Sequence, residues 1–175
     1  MADALFAPSD DSIECSALYS ALRDLNAIRQ ADGEEPLGGY EDLHRWSCDE
    51  PEAFWLWALK ALEIQTKGSL APVIADTGIG ARFFPNATLN IVDNLLAHGA
   101  PDGPAIIALS ESRGVTTRTY RQLKEEVDAL AYYLEAIGIQ PGDRVAGLTS
   151  NSPEAVIALL ASAAIGAVYT SASPE

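Results

Sequence analysis

From Ala155 to Pro174 the chain carries no charged residue. The stretch is introduced by Ser152-Pro153, a cap residue followed by a proline suited to a first helical turn. "PEAVIALLASAAI" then reads as a helix, Gly166 stops it, and "AVYTS" reads as a strand. Val156, Ile157, Leu159, Leu160 and Ile165 spread around that helix, and a helix that is apolar all round needs cover on most sides. Burying one large aliphatic side chain contributes roughly 1.5–3 kcal/mol, a large share of a typical domain stability of about 5–15 kcal/mol. These positions cannot all face one way on a helix of about 3.6 residues per turn. The expectation is an interior helix of a larger body, with self-association of the chain through its exposed apolar surface. The uncharged run is long enough to raise a membrane span. Its Ala and Ser content, Gly166 and the lack of flanking Lys or Arg argue against one.

The segments upstream follow the same grammar. "AIIALS" and "VTTRTY" are rich in β-formers and flank "ESRG", which predicts a hairpin. Thr119 and Gln122 are spaced as a capping box. The helix they open carries Leu123, Val127, Leu130, Leu134 and Ile137 on one face, and Gly138 ends it. "QPGD" is a turn and "RVAGLTS" a strand. The order β-β-α-β-α-β favours a parallel sheet, so the fold class is α/β. Ligands of such sheets bind beyond the carboxyl ends of the strands, which directs attention to the loops leaving "RVAGLTS" and "AVYTS".

The first half is helical. Residues 12–29 place Ile13, Ala17, Leu18, Ala21, Leu22, Leu25 and Ile28 on one stripe, predicting a single amphipathic helix. Ser47 and Glu50 are spaced as a second capping box before Pro51 and "EAFWLWALKALEI". Trp46, Trp55 and Trp57 lie close together, and such a cluster reads as packing between helices more readily than as a ligand platform. Pro85-Asn86 predicts a turn, Leu89–Leu96 a short helix, and Gly99 its cap, with His98 at the helix end.

Net charge is −14, and no basic stripe is present to neutralise phosphates, which argues against nucleic acid and against anionic membranes. Cys15 and Cys48 lack CxxC spacing, and His44 and His98 add no zinc pattern, so no metal is expected. "MADALFAPSDD" has acids where a leader has bases, so a cytoplasmic setting with reduced thiols is expected.

"YEDLHRWSCDEPEAFW", "ARFFPNATLNIVDNLL", "TYRQLKEEVDALAYYLEAIGIQPGDRVA" and "NSPEAVIALLASAAIGAVYTSASPE" resemble, in order, the amino-terminal part of the adenylate-forming acyl-CoA synthetases. The first of them points to the acetoacetyl branch. The usual Trp-Phe-Pro of that family is Phe83-Phe84-Pro85 here, the usual Glu before Asn is Asp93, and Ser-Cys-Ser-Pro-Asp is Ser171-Ala172-Ser173-Pro174-Glu175. The resemblance implies a parent enzyme that uses ATP, Mg²⁺ and CoA. It would join a short acyl acid, acetoacetate in the first instance, to AMP and then to CoA. The implied division is an N-terminal helical region over 1–100 and the beginning of the AMP-binding domain over 101–175. The loop after the last strand would edge the CoA and acyl channel, making Ser171, Ala172 and Ser173 the candidate site residues.

Attack of a carboxylate on the α-phosphate needs charge neutralisation and in-line positioning. The family meets this with a Ser/Thr/Gly-rich loop ending in Lys, acidic groups for ribose and metal, and a distant lysine. "TGIGA" and "LGGY" have neither the Ser/Thr run nor the Lys. The chain by itself is therefore expected to be catalytically silent, a front piece with no catalytic residue of its own. The alternative is a short non-catalytic protein that binds a partner or small ligand through a degenerate synthetase front half.

Overall fold

A computed structural model describes residues 7–76 and 78–174. Residues 1–6, Thr77 and Glu175 lie outside the described residues. With them lie the start of the stretch read as lacking a leader, the first residue of "TGIGA" and the last residue of the closing segment. The chain forms two compact units. One runs up to Ile64 and includes Gly68–Ala87, and the other comprises Gln65–Lys67 and the chain from Thr88 onward.

The first unit holds α1 (Asp10–Glu14), α2 (Ala17–Ala31), α3 (Tyr40–Asp49) and α4 (Pro51–Ala61). The single helix expected over 12–29 is two helices. Ser16 leaves helical geometry (φ −73°, ψ 148°) and its side chain accepts the Tyr19 N–H. Serine serves better as a cap than inside a helix, so the break wins over the apolar stripe. The consequence is a narrower buried face: Leu22 and Leu25 are buried, whereas Ile13, Leu18 and Ile28 are exposed. Asn26 then ties the chain back to α2, donating to the Leu37 carbonyl at 2.9 Å and accepting the Leu37 N–H at 2.8 Å.

The expected box at Ser47 is also absent, because α3 runs through it. The Ser47 hydroxyl donates to the His44 carbonyl, and the chain bends instead at Glu50 (φ −128°, ψ 60°). Pro51 opens α4 as expected. The bend brings Trp46 edge-on to Phe54 at 5.8 Å and to Trp57 at 6.0 Å, over Leu22, Leu25 and Leu43. The aromatic cluster is thus packing. Short strands β1 (Lys67–Gly68), β2 (Ile74–Ala75), β3 (Arg82–Phe83) and β4 (Ala87–Thr88) follow. Strands β2 and β3 pair antiparallel with Ile74 opposite Phe83, and Pro85-Asn86 makes the expected turn.

The second unit follows the predicted order: α5 (Ile91–Ala97), β5 (Pro104–Ser110), β6 (Gly114–Thr119), α6 (Tyr120–Ala136), β7 (Arg144–Leu148), α7 (Pro153–Ala164) and β8 (Val168–Ala172). Strands β5 and β6 form the hairpin, closing at Ser110 opposite Gly114. The Thr119–Gln122 capping box is complete, each side chain meeting the other residue's backbone N–H. Strands β7 and β8 are parallel, with Val145 opposite Tyr169 and Gly147 opposite Ser171. The core gathers Val92, Leu123, Val127, Leu134, Ile157, Leu160 and Ala161. Asn90 joins the start of one helix to the end of another. Its Oδ1 accepts the Val92 N–H to start α5, and its Nδ2 donates to the Ala163 and Ala164 carbonyls that end α7.

Gly99 directly follows His98, the cap residue of α5, but lacks the left-handed φ of a glycine cap. Glycine is needed there for space: a Cβ would sit 2.2 Å from the Tyr120 ring. Around α7, Ile157 and Leu160 are buried while Val156 and Leu159 are exposed, so its apolar side chains do divide between two environments. No helix among the described residues is long and apolar enough to cross a membrane.

Candidate functional site

Strand β7 runs into Thr149-Ser150-Asn151, and β8 runs through Ser171-Ala172 into Ser173. Because the strands are parallel and in register from Arg144/Val168 to Leu148/Ala172, both exits lie at the same end of the sheet. They enclose an open cleft of about 320 Å³ lined by Thr149, Ser150, Asn151, Ala155, Ser171, Ala172 and Ser173. All three residues singled out in the sequence therefore line one cleft. Thr149, Ser150 and Asn151 were not singled out individually, although the polar "TSNSP" run between strand and helix was the available signal.

Two features set the geometry. The Tyr169 hydroxyl lies over Gly147, where a Cβ would come within 2.3 Å of it. That hydroxyl is buried and has no hydrogen-bond partner among the described residues. At the other side Pro153 starts α7 after Ser152, which is the N-cap residue as expected but makes no side-chain cap hydrogen bond. The Ser152 hydroxyl instead bonds the Glu154 carboxylate and is the main reason that carboxyl titrates below its ordinary value. The Glu154 backbone N–H and the charges of Arg113 and Arg118 act in the same direction. The Arg113 guanidinium is 3.8 Å from Glu154.

Among the described residues the cleft lining consists of hydroxyl, carboxamide and methyl groups, with no Lys, Arg, Asp or Glu. Such a surface can hydrogen-bond a neutral polar chain. It offers neither a nucleophile paired with a base nor charge for phosphates. "TGIGA" forms a short 3-10 turn over Gly78–Gly80 leading to β3, with Ile79 exposed, and is not a phosphate loop before a helix. Cys15 and Cys48 are unpaired exposed thiols. Among the described residues no group of three or more His, Cys, Asp or Glu side chains is arranged to hold a metal ion.

Two family profiles account for most of the chain: "Acetyl-coenzyme A synthetase N-terminus" matches residues 40–95, and "AMP-binding enzyme" matches residues 96–175. The solved structure of acetoacetyl-CoA synthetase from Streptomyces lividans superimposes with a TM-score of 0.85 at 37% identity. That match covers 99% of this chain and 27% of that one. The chain belongs to the acyl-CoA synthetase family. Acetoacetyl-coenzyme A synthetase from Rhizobium meliloti (strain 1021) is 38% identical over 137 residues, 78% of this chain and 21% of the relative. A malonamoyl-CoA synthetase from Penicillium aethiopicum is 32% identical over 147 residues, 79% of this chain and 20% of the relative. The chain spans about a fifth of the length of these relatives. Its α/β architecture is that of the amino-terminal part of the synthetase fold.

Among the described residues the cleft lining carries no charged group, so these residues do not fit ATP phosphates or Mg²⁺. No step of adenylate formation can be assigned to residues described here.

Proposed function

We propose that this chain supplies the amino-terminal helical region and the opening of the AMP-binding domain of an acid–thiol ligase. In that reaction a short acyl acid, with acetoacetate the first candidate, is joined to AMP using ATP and Mg²⁺, and CoA thiol then displaces AMP. The division into a helical region over 1–100 and the start of the AMP-binding domain over 101–175 is supported by the change of family profile at residues 95/96. A cytoplasmic, reducing setting is supported by two unpaired exposed thiols.

The observation that carries the reading is the coincidence of the cleft with the carboxyl ends of β7 and β8, where open α/β sheets bind ligands. Ser171, Ala172 and Ser173 would form one edge of the CoA and acyl channel. Their neutral hydroxyl-rich lining suits the amide-bearing arm of CoA, not its phosphates. The acid itself is chosen elsewhere in the enzyme. Relatives named for acetoacetate and for malonamate match this region at 38% and 32% identity, so the region does not separate them.

Exchange of labelled pyrophosphate into ATP tests this. The isolated chain should give none with acetoacetate. A chimaera in which residues 40–175 replace the matching part of the Streptomyces lividans enzyme should exchange with acetoacetate. A chimaera with the parent's near-ultraviolet circular dichroism and no exchange would overturn the assignment, as would exchange by the isolated chain above a boiled control.

The exposed Val156 and Leu159 on α7 support self-association of the chain through this face. Leu160 is buried, so the informative variants are Val156→Ser and Leu159→Gln. Light scattering over a hundredfold dilution should show association in the parent sequence and less in the double variant. A monomer at every concentration would end this reading.

A further inference from the structure

Helix α3 places His44 and Cys48 one turn apart, with His44 Nε2 3.9 Å from Cys48 Sγ, and both residues are exposed. We propose that this pair binds a soft monovalent d¹⁰ cation, Cu(I) being the representative, between imidazole nitrogen and thiolate sulfur. The site lies in the first unit and shares no residue with the cleft at the end of β7 and β8.

Geometry decides what kind of ion fits. Metal–sulfur and metal–nitrogen bonds are about 2.3 Å and about 2.0 Å in biological N/S sites. Those lengths put N and S roughly 3.5 Å apart at a tetrahedral angle and roughly 4.3 Å apart when collinear with the metal. The observed 3.9 Å lies between these limits, so an ion can enter with a small rotation of either side chain. No third His, Cys, Asp or Glu among the described residues joins them. A structural zinc site needs four protein ligands, whereas a soft ion that is content with two suits the pair. Thiolate and imidazole are the donors that favour copper among the soft metals.

The surroundings support a cation. Cys48 lies in the last turn of α3 (Tyr40–Asp49), where the carboxyl end of a helix favours positive charge. Arg45, on the same helix, is paired with Asp42 at 3.0 Å, so its charge is partly offset. Tyr40 stacks on the imidazole with ring centroids 6.2 Å apart, which restrains the ring while its Nε2 faces the sulfur. On binding, the Cys48 S–H proton passes to solvent as the metal–sulfur bond forms. The thiolate–Cu(I) unit is then neutral, so no buried counter-charge is required.

The test is anaerobic competition with the Cu(I) complex of bicinchoninate, read by loss of its colour. Cys15, the other exposed thiol, serves as the internal control. The natural sequence and Cys15→Ser should each withdraw one equivalent with the same affinity. Cys48→Ser should withdraw none, and His44→Gln should bind at least tenfold more weakly. Nitrogen-15 spectra should show His44 Nε2 shifting on titration while its far-ultraviolet helix signal is unchanged. Equal affinity for His44→Gln would place the ion on a thiol alone and overturn the pair. So would retention of the equivalent by Cys48→Ser.

Discussion

The unit containing α2–α4 closes on rings, whereas the unit containing α5–α7 closes on branched aliphatic side chains. In the first, Trp46 meets Phe54 and Trp57 edge-on over three leucines. Each ring covers a large area through a directional contact, so few contacts are needed. One consequence is tolerated imperfection: the Trp46 indole N–H is buried without a partner. In the second, Val127 and Ala161 have no exposed surface, and neither does Ser162, whose hydroxyl donates to the Ala158 carbonyl. Small and medium side chains let α6 and α7 approach closely, and stability there comes from fit along the whole contact.

That contrast can be broken by truncation, which has the largest effect expected here. Trp46→Ala should destabilise the first unit by about 3–5 kcal/mol, and Leu123→Ala the second by about 2–5 kcal/mol. Hydrogen exchange, read on the amides of each unit, would measure both. Trp46→Phe, which keeps a ring and deletes the orphan donor, should cost far less than Trp46→Ala. If the two Trp46 variants cost the same, the ring contacts are not what holds α3 to α4.

Glycines sharpen the comparison at the next level down, because they separate steric need from backbone need. A Cβ at Gly99 would collide with the base of the Tyr120 ring, so Gly99→Ala should cost about 1–3 kcal/mol in overpacking. Gly138 has φ +97° but open space around it, so Gly138→Ala should cost only about 1 kcal/mol of left-handed strain. Chemical denaturation of the two variants gives the order. A Gly138→Ala loss exceeding that of Gly99→Ala would mean the Tyr120 ring moves aside freely.

The same contrast explains what could be read from the chain alone. In the second unit the deciding signals are local: Thr119 with Gln122, Gly138, Pro153 and Gly166 each fix an element boundary within a turn of themselves. Strand order, hairpin and helices were legible for that reason. In the first unit two local signals competed. Ser16 could sit inside an amphipathic stripe or cap a new helix, and Ser47 could cap or sit inside. At Ser16 the local cap preference wins, whereas at Ser47 the outcome depends on where the Trp46–Phe54–Trp57 cluster settles, and that is a tertiary matter. The cleft was half legible. Its position followed from parallel strands, but Thr149–Asn151 joined it only through the register of Gly147 with Ser171. The His44–Cys48 pair went unread, because i, i+4 spacing has no meaning until both side chains are seen on the exposed face of α3.

The smallest effects expected are at the helix starts, and they compare two caps that look alike in sequence. Thr119 accepts the Gln122 N–H, so Thr119→Ala should cost about 1 kcal/mol. Ser152 makes no such backbone bond, so Ser152→Ala should cost at pH 7 only the stability its hydroxyl gives the Glu154 carboxylate. Its signature should appear in the titration of Glu154 instead. The Ser152 hydroxyl is the first cause of the lowered Glu154 pKa, ahead of the Glu154 backbone N–H and of Arg113 and Arg118. A carboxyl whose pKa is lower folded than unfolded contributes stability that is complete above the unfolded value and fades as pH falls through the folded one. In Ser152→Ala the folded value should rise toward the ordinary carboxylate range, which narrows that window from its acid side. Glu154→Gln should remove the corresponding part of the acid slope altogether. Carbon-13 titration of the Glu154 carboxyl would follow the midpoint directly. An unchanged midpoint in Ser152→Ala would transfer the cause to the Glu154 backbone N–H or to the charges of Arg113, 3.8 Å away, and Arg118. Salt tells these apart, because a charge interaction at an exposed site is screened while a hydrogen bond is not.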